Sequence, residues 1–326
     1  MANIYYSNAR ARSLEVKLLG RERLNRMIDS DTADGALKIL SEVNFGEGVF
    51  IDSVLDFEKL ITAELNSLYS FVRECSPTLA FKNFILLKND FHNAQAIIRH
   101  KYLKIDETGL LGERGLFDTA ELKDKIMVDD YSSLPNSLAS ALLKADELFV
   151  SNKATGANID DLFVKGLYNE LLYSTKKHNF LRKIVEFKID SLNVSLAFRI
   201  RNFNVAKEFY ISGGKISLDE FKVLCELSFD EIKNKFLFSD YHDLINLAIL
   251  DKEENNSLSR FEKAVDDYAL EVLLKQKYTI SKDFPFIQYC LYKLADINNA
   301  RLIAVGAINK IKKEEIRDRL RICYEG

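Results

Sequence analysis

The sequence is poor in the two residues that most often break helices. It has 13 glycines and 3 prolines among 326 residues, about 5%, whereas ordinary soluble chains contain about 12% of the two together. A β-sandwich, a β-barrel or an α/β fold with many turns needs more of both residues. The composition therefore predicts an all-α fold of long helices with few breaks.

Long apolar runs and clustered cysteines are also absent. No stretch approaches the roughly 18 consecutive apolar residues of a membrane span, and residues 1–12 lack the apolar core of a signal peptide. We therefore expect a cytoplasmic location. The four cysteines lie far apart with no CxxC pair, so we expect free thiols and not disulfides or zinc ligands. The net charge of −3 indicates no general affinity for nucleic acid.

Sequence motifs of catalysis are missing as well. There is no GxxxxGK[ST] phosphate loop, no GxGxxG after a strand-like run, no HExxH and no GxSxG, so no catalytic residue, cofactor, metal site or small-molecule substrate is predicted. Three aspartate pairs resemble the start of the DDxxD metal site of all-α isoprenoid synthases, but none has the final acid. An all-α enzyme that holds a divalent metal stays open as an alternative. The pairs are Asp129-Asp130, Asp160-Asp161 and Asp266-Asp267.

One pattern occurs three times at intervals of about 100 residues. Its frame is Lys-x-Asp-x-x-Asn, followed six residues later by Arg. In the third copy the Lys is missing and Val305 stands where the Arg is expected. The first copy consists of Lys88, Asp90, Asn93 and Arg99, the second of Lys188, Asp190, Asn193 and Arg199, and the third of Asp296 and Asn299.

Two further markers share this period. A helical segment lies upstream of each copy, and each third of the chain opens with a glycine-containing turn and a fresh helix. The upstream segments begin at Phe57, Leu162 and Phe261, and the openings align at Leu24, Leu122 and Phe221. The last opening contains the capping box Ser217-Leu-Asp-Glu220. Three markers at one period predict three units of about four helices each, with bounds 1–110, 111–210 and 211–326.

The repeated segment has the periodicity of an amphipathic helix, and its Asp and Asn lie inside the apolar sector. In the first copy, Leu87, Phe91, Ala94 and Ile98 share one sector and Asp90 falls within it. A carboxylate in such a position needs hydrogen-bond partners. Two interpretations follow: each Asp–Asn pair ties its helix to a neighbouring element, or the pairs line an internal surface that a partner touches.

The two arginines of the pattern are predicted on the polar side of their helices, near basic helix ends. Basic side chains there complement the helix dipole, and a docking patch for an acidic partner is the alternative. The repeated residues are therefore our candidates for partner docking or for lining an internal surface. They are Asp90, Asn93, Arg99, Asp190, Asn193, Arg199, Asp296 and Asn299.

The chain resembles the C-subunit family of bacterial and archaeal V-type (A/V-type) ATP synthases, whose eukaryotic counterpart in vacuolar ATPases is the d-subunit family. The resemblance covers essentially the full length and rests on the order and spacing of several motifs, although the third copy lacks its basic residue. These motifs are Tyr5-Tyr6-Ser-Asn8-Ala9-Arg10-Ala-Arg12, Lys17-Leu-Leu19, Phe45-Gly46 and Leu87-Lys-Asn-Asp90-Phe-His-Asn93.

The resemblance implies a funnel of three similar helical lobes around a pseudo-threefold axis. In that family the funnel is a non-catalytic part of the rotor, present as a single copy on the cytoplasmic face of the membrane. Its wide end receives the axle subunits D and F, and its narrow end sits on the membrane proteolipid (c/K) ring. It thereby couples ATP turnover to ion movement. The repeat alone would also suit the alternative, a generic α-helical scaffold that binds other cytosolic proteins.

Overall fold

The structure is a computed structural model that describes residues 2–106, 109–275 and 282–325. These residues form α-helices and a few short 3₁₀ turns, with no strand among them, which confirms the all-α prediction. The helices are α1 (Ile4–Leu14), α2 (Gly20–Asp29), α3 (Ala33–Leu40), α4 (Phe57–Cys75), α5 (Leu79–Leu103), α6 (Thr119–Met127), α7 (Asn136–Val150), α8 (Gly156–Thr175), α9 (Asn179–Ile200), α10 (Phe203–Ala206), α11 (Leu218–Glu226), α12 (Phe229–Lys235), α13 (His242–Asn255), α14 (Ser259–Lys275), α15 (Phe284–Ile308) and α16 (Lys313–Arg319).

The chain divides into two compact units. Unit 1 consists of Met1–Leu79 together with Asp266–Gly326, and unit 2 consists of Ala80–Val265. The two units do not correspond one to one to the three predicted lobes. The lobe boundaries at 110/111 and 210/211, and the arrangement of lobes around a pseudo-threefold axis, stay predictions.

Helix α15 is central to unit 1. It packs against the first four helices, α1 to α4, which lie more than 200 residues earlier in the sequence. In this bundle the ring of Phe286 stacks on that of Phe71 in α4, with centroids 5.0 Å apart. The helix that carries the third copy of the pattern therefore completes a bundle begun by the first part of the chain.

The first two copies of the pattern lie in unit 2, on the long helices α5 and α9. Helix α5 contributes Leu87, Phe91, Ala94, Ile97 and Ile98 to a core shared with α6, α7 and α8. Helix α9 packs against α8, α10, α11 and α13. Each of these two helices thus packs against elements that follow it in the chain, and α9 also packs against α8, which precedes it.

Two local predictions from the sequence, the helices at the three openings and the capping box, are confirmed. The aligned residues Leu24, Leu122 and Phe221 lie in α2, α6 and α11 and are at most 1% exposed. The capping box at Ser217 is present, with both hydrogen bonds formed. All four cysteines are buried free thiols. Within the described ranges, no helix combines the length and the apolar character that crossing a bilayer requires.

Candidate functional site: three repeated polar clamps

The first Asp–Asn pair binds the main chain of the loop between α5 and α6. The Asp90 carboxylate accepts hydrogen bonds from the amides of Leu116 (2.8 Å) and Phe117 (3.1 Å). The Asn93 side chain donates to the carbonyl of Gly112 (2.7 Å) and accepts from its amide (3.1 Å). Both side chains are buried. We term this arrangement clamp 1: the Asn pairs with both main-chain groups of one residue, and the Asp holds amides a few positions later.

The second pair repeats this geometry between α9 and the start of α11 and forms clamp 2. Asp190 accepts hydrogen bonds from the amides of Lys215 (2.8 Å) and Ile216 (2.9 Å). Asn193 donates to the carbonyl of Ile211 (2.8 Å) and accepts from its amide (2.9 Å). The spacing from the Asn-bound residue to the first Asp-bound residue is four in both clamps.

The third pair forms clamp 3 from two distant parts of the sequence. Asn299 donates to the carbonyl of Arg321 (3.1 Å) and accepts from its amide (2.8 Å). Asp296 accepts a hydrogen bond from the amide of Leu19 (2.7 Å). The interpretation that each pair ties its helix to a neighbouring element is therefore confirmed for all three copies.

Burial is the largest influence on the pKa of the carboxyls in clamps 2 and 3. It raises the pKa of Asp190, against the lowering effect of a hydrogen bond from the Tyr241 hydroxyl and of the two loop amides. The sequence pattern had not indicated Tyr241, because this residue lies outside the repeated frame.

Burial also raises the pKa of Asp296, to about 6. The Leu19 amide, the Lys293 ammonium and the nearby Gly20 amide oppose this rise, whereas Glu64 adds to it. The Gly20 amide does not reach hydrogen-bond geometry, so the Oδ1 atom of Asp296 has no hydrogen-bond partner among the described residues. Clamp 3 therefore holds its carboxyl less completely than clamp 2 does.

Two glycines allow the loops of clamps 1 and 2 to approach their carboxylates closely. A Cβ atom added at Gly115 would lie 2.0 Å from Oδ1 of Asp90, and one at Gly214 would lie 2.0 Å from Oδ1 of Asp190. Each glycine directly precedes the first amide that the Asp binds. The corresponding residue in clamp 3 is Leu18, which is buried.

The arginines of the first two copies form ion pairs within unit 2. Arg99 Nη2 lies 2.7 Å from Oδ1 of Asp160, at the start of α8. Arg199 Nη2 lies 2.9 Å from Oε1 of Glu262, at the start of α14. Both arginines thus connect the end of a long helix to the first or second turn of a later helix.

The third copy makes the same connection with a different residue. Arg301 donates to both carboxylate oxygens of Glu58, at 2.9 and 2.8 Å, and Glu58 lies in the first turn of α4. Arg301 precedes Val305 by four residues, about one helical turn. Sequence alignment alone missed Arg301, although a search one turn to either side of Val305 would have found it.

The aspartate pairs considered as metal ligands are bound to other groups of the chain. No cluster of three or more His, Cys, Asp or Glu side chains suited to a metal ion occurs among the described residues. The metal-dependent alternative therefore gains no assembled site from the geometry. The contacts are Asp129 with Lys101 and Tyr131, Asp130 with Ser132, Asp160 with Arg99, Asp161 with Lys165, Asp266 with Arg321, and Asp267 with the amide of Ile322.

A buried ion pair in unit 1 was not predicted. Lys293 and Glu64 are 3% and 7% exposed and bind each other, and Glu64 also accepts a hydrogen bond from the Gly46 amide (2.6 Å). The residues equivalent to Lys293 in the other two copies are Leu87 and Phe187. The sequence could have indicated this ion pair, because Lys293 lies in a helix sector that is apolar in the other two copies.

Comparison with known proteins places the chain in a family. The family model described as ATP synthase (C/AC39) subunit matches residues 7–319. The C subunit of the A-type ATP synthase of Methanocaldococcus jannaschii is 25% identical over 98% of this chain and 86% of its own length. The C subunit of the V-type sodium ATPase of Enterococcus hirae is 21% identical over 98% of both chains. The chain therefore belongs to the ATP synthase (C/AC39) subunit family.

Proposed function

We propose that the protein is the central-rotor component that connects the axle subunits D and F to the membrane proteolipid ring of a V-type (A/V-type) ATPase. The match to the family model over residues 7–319 is the observation that carries this proposal. In this role the protein is non-catalytic. As a single copy on the cytoplasmic face, with three lobes arranged as a funnel, it couples ATP turnover in the catalytic head to ion movement through the membrane.

The clamps support a role in transmitting torque, because such a coupler must resist bending. Each clamp joins a long helix to a loop through buried side chains that bind main-chain groups. Leaving a buried polar group without a partner costs about 1–3 kcal/mol. A loop that moved away from its clamp would incur this cost several times over, so the clamps stiffen the connection between helix and loop.

The eight candidate residues divide by exposure. Arg99 and Arg199 reach the surface, with side chains that are 30% and 61% exposed. The other six are at most 1% exposed. We therefore assign partner docking to the two arginines, and we assign the positioning of loops to the six buried Asp and Asn residues.

Binding of purified partners tests the rotor role. The full chain is mixed with the D–F pair, and separately with detergent-solubilised proteolipid ring, and co-elution is measured by size-exclusion chromatography. The rotor role predicts binding to both partners. Absence of binding to either one would overturn it, and co-purification from cells with soluble proteins but without ATPase subunits would support the scaffold alternative.

Charge reversal tests the assignment of the arginines. Arg99→Glu combined with Arg199→Glu should weaken binding to the D–F pair by about tenfold or more, with helix content unchanged by circular dichroism, because exposed ion pairs contribute only about 0–1 kcal/mol. Asp90→Ala should instead lower stability and leave the affinity of the folded fraction intact. Equal effects of both variants on stability and on binding would contradict the assignment.

A charge swap is the matched control. Adding Asp160→Arg and Glu262→Arg to the double reversal restores both ion pairs with their signs exchanged. Binding should stay weak, because the positive charge has left the two arginine positions. Full recovery of binding would show that the ion pairs, and not the arginines, matter for docking.

A further inference from the structure

The three clamps differ in how their loops are connected. In clamps 1 and 2, the residues that hydrogen-bond to the Asn and to the Asp belong to one short stretch of chain. This stretch runs from Gly112 to Leu116 in clamp 1 and from Ile211 to Lys215 in clamp 2. Release of one contact leaves the other nearby, so the released group rebinds at a high effective concentration. In clamp 3 the two contacts belong to Arg321 and Leu19, about 300 residues apart. No short covalent connection holds these two contacts together.

Residues 321–325, which we term the C-proximal strap, take the place of that connection. The Ile322 amide donates to Oδ1 of Asp267 (2.7 Å), and the Tyr324 carbonyl accepts a hydrogen bond from the Arg21 amide (3.2 Å). The Tyr324 ring packs edge-on against Tyr292 of α15, with centroids 5.3 Å apart. The strap therefore touches both halves of clamp 3.

Cys323 is the one buried residue among 321–325, and the other four are half-buried or exposed. Two ion pairs hold the strap: Arg21 with Glu325 (2.6 Å), with side chains 62% and 69% exposed, and Arg321 with Asp266 (2.8 Å), with side chains 26% and 41% exposed. Such partly exposed pairs contribute little in water. On the other side of clamp 3, Asp296 leaves its Oδ1 atom without a partner among the described residues. In clamps 1 and 2, both carboxylate oxygens accept loop amides.

We propose that clamp 3 is the place at which unit 1 opens locally. The C-proximal strap detaches from α15 and from residues 19–21 while clamps 1 and 2 stay closed. Detachment exposes Asn299, Tyr292 and the first turn of α2 without unfolding the helices. Local opening of this kind occurs where few buried contacts hold a segment. The proposal concerns the chain itself and does not depend on the rotor role.

Hydrogen exchange of three equivalent amides tests the proposal. The amides of Gly112, Ile211 and Arg321 each donate to the Oδ1 atom of a clamp Asn. After correction for intrinsic rates, the Arg321 amide should exchange about tenfold or more faster than the other two, because exchange reports the local opening free energy. Equal exchange of all three amides would overturn the proposal.

A covalent connection between the two halves of clamp 3 provides a second measurement. Arg21→Cys combined with Glu325→Cys and Cys323→Ala places two thiols at exposed positions and removes the native thiol of the strap, and a short flexible bismaleimide joins the two new thiols while the other three native cysteines are buried. The cross-link should slow the exchange of the Arg321 amide toward the Gly112 rate and leave Gly112 unchanged. The same variant without cross-linker is the control. An unchanged Arg321 rate after cross-linking would show that detachment of the strap is not the opening event.

Discussion

All three clamps use an Asp and an Asn at the same spacing on a long helix, yet clamp 3 holds a different kind of segment from clamps 1 and 2. The first two hold a continuous loop that follows the helix. The third holds Arg321 after the helix and Leu19 near the start of the sequence. All three copies thus keep the contact between a long helix and main-chain groups. Those groups can belong to one loop or to two segments that are distant in the sequence.

The third copy also departs from the other two in its surroundings. Leu18 stands where the other copies have a glycine beside the carboxylate, and Lys293 stands where they have an apolar core residue. The arginine of this copy, Arg301, lies one turn before the position that the arginine occupies in the other copies. Each change has a defined partner or position in unit 1. The comparison between clamps therefore yields experiments in which one clamp serves as the control for another.

The largest expected difference follows from removing the carboxylates. Asp90→Ala leaves the part-buried amides of Leu116 and Phe117 without their acceptor and should cost about 4 kcal/mol of unfolding free energy. Asp296→Ala at pH 7.5 should cost about 1 kcal/mol, because it frees one hydrogen-bonded amide and also removes a buried charge. Hydrogen exchange read separately in the two units measures both losses. Equal losses would remove the energetic distinction between clamps 1 and 3.

The pH dependence of unit 1 should reveal Asp296. Its pKa is raised from 3.8 to about 6 in the folded state, so the folded protein holds this proton more tightly than the unfolded chain does. The stabilising contribution of Asp296 should therefore be fully present below about pH 4, decrease by about 3 kcal/mol as the pH rises to about 6, and then level off. The difference in unfolding free energy between wild type and Asp296→Asn, measured from pH 4 to 8, isolates this contribution. Parallel pH profiles of the two proteins would contradict it.

A methyl group in the clamp 1 loop should produce a smaller loss. Gly115→Ala places a Cβ atom where Asp90 Oδ1 now lies, so the loop must shift, and the cost should be about 2 kcal/mol. Gly112→Ala in the same loop is the matched control, since a Cβ atom there meets nothing within 4 Å. Thermal unfolding of both variants measures the difference. A loss for Gly112→Ala as large as for Gly115→Ala would show that loop flexibility, and not the close approach to Asp90, sets the cost.

The smallest effect concerns the arginine that replaces the expected one. Arg301→Ala should cost about 0.5 kcal/mol, because its ion pair with Glu58 is half-exposed. Adding Val305→Arg should restore that loss, since the new side chain can reach toward the first turn of α4 from the position used in the other copies. Differential scanning calorimetry compares the single and double variants. If Val305→Arg brings no recovery, the positions one turn apart are not interchangeable.

Much of the fold and part of the site could be predicted from the sequence. Periodicity and the scarcity of glycine indicated the helices, and the repeat indicated the buried Asp–Asn pairs, because hydrophobic patterns are local and can be read along one helix. The partners of those pairs could not be predicted. The amides that bind Asp296 and Asn299 lie about 300 residues apart, and main-chain groups carry no residue-specific signal. Tyr241 and Lys293 were missed because each occurs in a single copy.

Unit 1 consists of two segments that are distant in the sequence, and this has a consequence for biosynthesis. Ribosomes make α1 to α4 first, yet the helix that fills the centre of their bundle, α15, is made more than 200 residues later. Unit 2, from Ala80 to Val265, is continuous and is complete before that helix emerges. Throughout the synthesis of unit 2 the surfaces of α1 to α4 that α15 later covers therefore lack that helix, and exposed apolar surface of this kind is what chaperones bind. The first-made part of the protein is the last to mature.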